Sequence, residues 1–126
     1  MIQEEIQHKV LTHFVWKPDI ELYGTFEDWR DHEDTVNKGQ VFFDDCDGFA
    51  MTCAKMLLHA GVKPEEIMLA FCQTETNEAH LVCISEGFVL DNRSRSVWKM
   101  EEVPYNWVSG MKLSEPGIWR MFLEKE

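Results

Sequence analysis

Cys46 stands in the run Phe42-Phe43-Asp44-Asp45-Cys46-Asp47-Gly48-Phe49-Ala50, where the chain turns into a helical pattern. A thiolate in the first turn of a helix is stabilised by the positive end of the helix dipole. Downstream, His80 lies in the strand-like run Glu78-Ala79-His80-Leu81-Val82, and Asp91 follows a second such run, Phe88-Val89-Leu90-Asp91-Asn92. Cys, His and Asp in this order supply a nucleophile, a base and an orienter. The chemistry this set could perform is hydrolysis of an amide bond through a thioester on Cys46. Each residue alone has an ordinary reading: a structural thiol at a helix start, a satisfied core histidine, a turn aspartate. The catalytic reading rests on the coincidence of all three.

The elements needed to bring these residues together can be read from the pattern of apolar positions. From Asp44 or Asp45 to about His59, Phe49, Ala50, Cys53, Ala54, Leu57 and Leu58 recur at intervals of three and four. That spacing predicts a helix with one apolar face, and Gly61 followed by Pro64 predicts its end. Residues 67–72, 80–84 and 88–90 read as strands, with Glu86-Gly87 as the tight turn between the last two. Counting inward from that turn sets His80 roughly across from Asp91 in an antiparallel pair. An oxyanion would need donors. The Cys46 backbone N–H is one candidate, and the amide of Gln40, a few residues upstream, is a second.

The remaining elements are simpler. Ile6, Val10, Leu11 and Phe14 give residues 4–14 a helical period. Pro18 and Gly24 break it, and Thr25 begins a short helix with Asp28 at the capping-box position. Asn37-Lys38-Gly39 reads as a turn, and residues 97–100 and 118–123 are further strand candidates. A helix-rich first half and a strand-rich second half predict an α+β fold with an antiparallel sheet. No repeat, linker or low-complexity tract divides residues 1–126, so one domain is expected.

Composition narrows the function. The formal charge of −11 over 126 residues opposes a nucleic-acid partner, which would need a basic stripe. No run reaches the apolar length of a membrane span, and the first residues lack the pattern of a secretory signal, so a cytoplasmic location is expected. Cys46, Cys53, Cys72 and Cys83 form no CxxC pair. The last three lie among apolar residues and read as buried reduced thiols. His8, His13, His32 and His59 show no metal spacing. Trp29 and Trp98 are the tryptophans expected to line a groove.

The block from Gly39 through Asp45-Cys46-Asp47-Gly48-Phe49-Ala50, with Glu78-Ala79-His80-Leu81-Val82 and Leu90-Asp91-Asn92, resembles the bacterial transglutaminase-like cysteine proteinases, within the papain-like and transglutaminase-like superfamily. The upstream Tyr23-Gly24-Thr25-Phe26-Glu27-Asp28-Trp29 adds to the resemblance, which spans about residues 16–105. It implies an α+β fold with the nucleophile at the N-terminus of a central helix packed on an antiparallel sheet. It also implies a Cys46-His80-Asp91 triad acting on a protein or peptide. Members that cleave bacterial surface adhesins bind calcium through acidic residues flanking the nucleophile, which here would be Asp45 and Asp47. Asp47 stands where Glu is usual, and the alternative role of Asp44, Asp45 and Asp47 is helix capping. No cofactor is otherwise required, and the shortness of the chain fits a compact cytoplasmic or phage-encoded relative. Two alternatives stay open: an acyl transferase using the same triad, and a non-catalytic acidic binding or inhibitor protein on this fold.

Overall fold

The computed structural model describes residues 1–17 and 31–122. The expected helix start at Thr25, and Trp29, lie outside the described residues. Helix α1 (Ile2–Thr12) leads into strand β1 (Phe14–Trp16). Helix α2 (Glu33–Asn37), strand β2 (Phe42–Asp44) and helix α3 (Cys46–His59) follow. The second half holds β3 (Ile67–Gln73), β4 (Ala79–Ser85), β5 (Phe88–Leu90), β6 (Trp98–Lys99), β7 (Asn106–Lys112) and β8 (Arg120–Met121). Strands β3 to β8 form one antiparallel sheet in the order β6-β5-β4-β3-β7-β8. Strands β1 and β2 pair in parallel as a separate ribbon. The α+β expectation holds.

Helix α3 is the organising element. Its apolar face, Phe49, Ala50, Cys53, Ala54 and Leu57, packs into one cluster with Leu69, Leu81, Cys83 and Leu90 from the sheet. Burying such side chains contributes about 1.5–3 kcal/mol each before conformational entropy is counted. The helix stops in a Schellman turn: Gly61 N–H donates to Leu58 O at 3.1 Å and Val62 N–H to Leu57 O at 3.1 Å. Gly61 takes φ +101°, which its missing Cβ permits. A smaller cluster, Ala70, Val82, Ile84 and Val89, fills the other face of the sheet with Tyr105 and Trp107 against it.

The β4–β5 hairpin closes through Glu86 (φ 53°) and Gly87 (φ 86°). Positive φ at both central residues matches the twist that tight two-residue hairpins require. Several expectations need correction. The first helix ends at Thr12, and Phe14 begins a strand. Asp44 is not a cap but the last residue of β2, and its side chain is buried. Strand β7, which pairs with β3 along most of its length, carries Asn106, Ser109 and Gly110, residues of low strand preference that hid it.

Candidate active site

The turn from β2 into α3 is built by aspartates with different jobs. Asp45 is the N-cap, its carboxylate accepting the Asp47 backbone N–H at 3.0 Å. Asp44 turns inward. Its Oδ1 accepts the Asp45 N–H at 2.8 Å, and its Oδ2 sits 2.7 Å from His32 Nε2. His32 is held in turn by its backbone N–H donating to Thr52 Oγ1 at 2.9 Å and by stacking on Phe42 with ring centroids 4.5 Å apart. Gly48 is where Asp44 passes the helix: a Cβ on Gly48 would overlap the Asp44 carboxylate. The Asp-Asp-Cys-Asp-Gly run thus folds back on itself and fixes Cys46 as the first residue of α3.

Cys46 is the one cysteine of the four that is not buried. Its Sγ lies 3.5 Å from Asp47 Oδ1. On the β4 side, the Leu81 backbone N–H favours the thiolate. Burial opposes this most strongly, followed by the Asp47 charge and then that of Asp45. The balance pushes the Cys46 thiol well above its ordinary value, so it rests protonated at neutral pH. The helix start favours the thiolate, and the burial and the carboxylates on either side outweigh that effect.

His80 and Asp91 form the second half of the site. His80 Nε2 is 2.7 Å from Asp91 Oδ1, and both side chains are buried. A carboxylate only accepts, so Nε2 carries a proton, and in the neutral ring Nδ1 keeps its lone pair. The ladder pairs Cys83 with Leu90, which sets Asp91 one step beyond it, level with Val82. The two side chains therefore meet as diagonal neighbours on one face of the hairpin, within the reach that the count from the turn implied. A cross-strand diagonal is within reach of a histidine.

Asp91 is held from several directions. Its Oδ1 also accepts the Arg93 backbone N–H at 3.1 Å, and its Oδ2 accepts the Tyr105 hydroxyl at 2.5 Å. Its own N–H donates to Gln7 Oε1 at 2.6 Å. Burial would raise the Asp91 carboxyl, but the hydrogen bond and charge of His80, then Tyr105 and the Arg93 N–H, hold it below its ordinary value. It is an anion across the neutral range.

Gln7, Tyr105 and Arg93 were not legible as site residues. Gln7 is 1% exposed and donates through Nε2 to Ser94 O and Ser96 O, both at 2.9 Å. It splints the loop after β5 to α1. A buried glutamine in an apolar stripe was the only signal, and it marks satisfaction of backbone groups as often as function. Trp98 does line a hollow, with Asp91, Arg93, Ser94, Pro104 and Tyr105, of about 270 Å³. Gln40 is exposed at the end of the turn after α2, six residues before Cys46.

Asp45, Cys46 and Asp47 bring one ligand atom each within 4.8 Å of one another. Carboxylate oxygens are the hard donors that suit calcium, which takes about six to eight of them. The two aspartates fit part of such a shell. The thiol, a soft donor, does not belong in it.

Residues 2–126 match the sequence model of the family described as bacterial transglutaminase-like cysteine proteinase. The chain belongs to that family. It is a cysteine proteinase of the transglutaminase-like type. Among solved structures it is similar to LapG of Legionella pneumophila at a TM-score of 0.71 and 18% identity, covering 96% of this chain and 68% of that one. A calcium-bound LapG structure gives 0.71 and 19% over 97% and 68%, and an EGTA-treated one gives 0.72 and 18% over 96% and 66%. At these identities the likeness is one of fold. No curated protein matches the chain by sequence. No described helix is long and apolar enough to cross a membrane.

Proposed function

We propose that residues 1–126 act as one peptidase domain that cleaves a protein or peptide through a thioester on Cys46, with His80 as base and Asp91 as its orienter. The observation that carries this reading is the 2.7 Å His80 Nε2–Asp91 Oδ1 bond, together with a partly exposed thiol whose charged form the Leu81 backbone N–H favours. Because Nε2 is committed to Asp91, Nδ1 takes the Cys46 proton as sulfur attacks the substrate carbonyl. The tetrahedral oxyanion is met by the Cys46 backbone N–H, a first-turn donor with no acceptor inside the helix, and by the Gln40 amide. Collapse expels the amine, which takes the proton from His80, and leaves a thioester. Water, giving a proton to His80, then hydrolyses the thioester and releases the acid as the sulfur recovers its proton. With Cys46 protonated at rest, His80 works as a general base at the moment of attack instead of holding a standing ion pair.

We further propose that Asp45 and Asp47 hold a calcium ion. LapG has been solved both calcium-bound and EGTA-treated. Here the support is the paired hard oxygens flanking the nucleophile. Bound there, the ion would offset the carboxylate charge that keeps the thiol protonated.

Competitive labelling with iodoacetamide, followed by peptide mass spectrometry, tests the nucleophile. Cys46 is expected to react first. Faster labelling of Cys53, Cys72 or Cys83 in the folded protein would remove Cys46 from its role.

A further inference from the structure

Tyr105 touches both members of the His80–Asp91 pair. Its hydroxyl donates to Asp91 Oδ2 at 2.5 Å, and its ring meets the His80 ring edge-on with centroids 5.7 Å apart at 77°. Arg93 Nη1 donates to the same hydroxyl oxygen at 3.0 Å, with the guanidinium carbon 5.5 Å from the ring centre. Glu75 fixes that guanidinium through both nitrogens, Nη1 to Oε1 at 3.2 Å and Nη2 to Oε2 at 2.8 Å. We propose that Tyr105 is the positioning residue of the base, and that Arg93, anchored by Glu75, aims its hydroxyl proton at Asp91. The proposal rests on the Cys46-His80-Asp91 reading.

The donor inventory gives the direction of the network. An arginine only donates, so the Tyr105 oxygen must accept from Arg93, and its single hydrogen is left for Asp91. Arg93 contributes twice, since its backbone N–H also binds Asp91 Oδ1. With Oδ2 committed to Tyr105, Asp91 presents Oδ1 alone to His80 and cannot swap oxygens by rotating. The edge of the Tyr105 ring restricts rotation of the imidazole at the same time. Both constraints act on one coordinate, the direction of the Nδ1 lone pair. A small error in that direction is costly, because proton transfer needs heavy atoms within hydrogen-bond reach. Tyr105 sits just ahead of β7, so the pairing of β7 with β3 carries it to this position.

A purely structural tyrosine would contribute packing and stability, and Tyr105→Phe separates the two roles because it keeps the ring and removes the hydroxyl. In the full chain, hydrolysis of p-nitrophenyl acetate supplies kcat and KM. The His80 Nε2–H resonance, observed by proton NMR with nitrogen labelling, reports the bond to Asp91. Tyr105→Phe is expected to lower kcat about tenfold with KM within twofold, and to move or broaden that resonance. Arg93→Leu should lower kcat in the same way, and Arg93→Lys should recover part of the loss. His80→Ala is run beside them. If it is inactive while Tyr105→Phe keeps wild-type kcat and an unmoved resonance, the positioning role is overturned and the triad stands. If His80→Ala itself turns over at the wild-type rate, triad and positioning role fall together. Should Tyr105→Phe not fold, Arg93→Leu decides on the same two readouts.

Discussion

The two halves of the site are built on opposite electrostatic plans. Around Asp91 every partner is a donor: the His80 ring, the Tyr105 hydroxyl and the Arg93 N–H all converge on one buried carboxylate and keep it ionised. Around Cys46 the described neighbours mainly bear negative charge, and against them the Leu81 N–H favours the charged form. One half is finished as it stands, with its charge solvated by protein dipoles in advance. The other opposes the charge it must develop. Preorganisation is cheap for an anion that is permanent and harder for one that appears only during reaction, because a permanently stabilised thiolate would be a weaker nucleophile. On the proposed triad the base is therefore set, and control of the reaction is concentrated at the nucleophile.

The largest effect should come from removing either side of the proton transfer. Cys46→Ala removes the reacting atom, and His80→Ala is expected to lower turnover by about 10⁴-fold or more, since it removes the proposed base. Melting temperature measured in parallel should show a folded protein in both cases. Wild-type turnover by a well-folded His80→Ala variant would end the comparison, because the prepared half would then have no chemical part.

Asp91→Asn should cost less than His80→Ala, because an amide oxygen can still accept from His80 Nε2 and hold the ring. Its effect on stability has a defined sign. The folded carboxyl lies below its ordinary value, so it contributes stability that is fully present above that ordinary value and is lost as pH falls through the depressed folded one. Thermal melts from neutral to acid pH should show the wild type losing part of its stability there, while Asp91→Asn shows a shallower loss. Parallel curves would mean that Asp91 is not the stabilised anion described above.

How much of this could be read from the chain depends on whether a feature is local. The α3 helix, its first residue and its glycine stop were legible because capping and apolar period are written in adjacent residues. The Glu86-Gly87 turn was legible for the same reason, and with it the neighbourhood of His80 and Asp91. What was missed is held by contacts across the fold. Gln7 lies 84 residues from Asp91 and Tyr105 lies 14 away, and neither has a local pattern. Asp44 looked like one more capping aspartate, yet a single residue decides between solvent and core: β2 alternates buried, exposed, buried, and Asp44 falls on the inward side. The state of the Cys46 thiol turns on a balance of magnitudes. The helix terminus is worth about 0.3–1 kcal/mol, and burial beside a carboxylate is larger.

Gly48 offers a structural test of the nucleophile half. Gly48→Ala would drive a Cβ into the buried Asp44 carboxylate, which is backed by His32 and by β2 and cannot swing away freely. Overpacking of this kind costs about 1–3 kcal/mol. Chemical denaturation should show the loss, and labelling of Cys46 should change with it, because the same carboxylate anchors the Asp45 N–H. Asp91-dependent properties, including the acid limb of stability, should stay as they were. A variant as stable as the parent would mean that the turn yields, and that Asp44 does not set the position of Cys46.

The smallest effect should come from calcium, and it sharpens the comparison most directly because it acts on the incomplete half alone. The Cys46 thiol is held protonated by burial first and by the Asp47 and Asp45 charges after it. A cation on those two carboxylates would cancel the charge contribution and leave the burial contribution, so Cys46 should label several-fold faster with iodoacetamide in millimolar calcium than in excess chelator. The same binding favours the folded chain by mass action, by about 2.7 kcal/mol when calcium exceeds its dissociation constant a hundredfold, so the melting temperature should rise. Asp45→Asn and Asp47→Asn should each abolish the calcium response while raising the basal labelling rate, since each removes one repelling charge. Of these two effects only the lost calcium response separates a metal site from a helix cap: asparagine keeps the capping hydrogen bond, and removing the charge raises the basal rate in either case. An unchanged midpoint and an unchanged labelling rate across millimolar calcium would leave the aspartates as capping and turn-forming groups. The nucleophile would then depend on His80 alone for its activation.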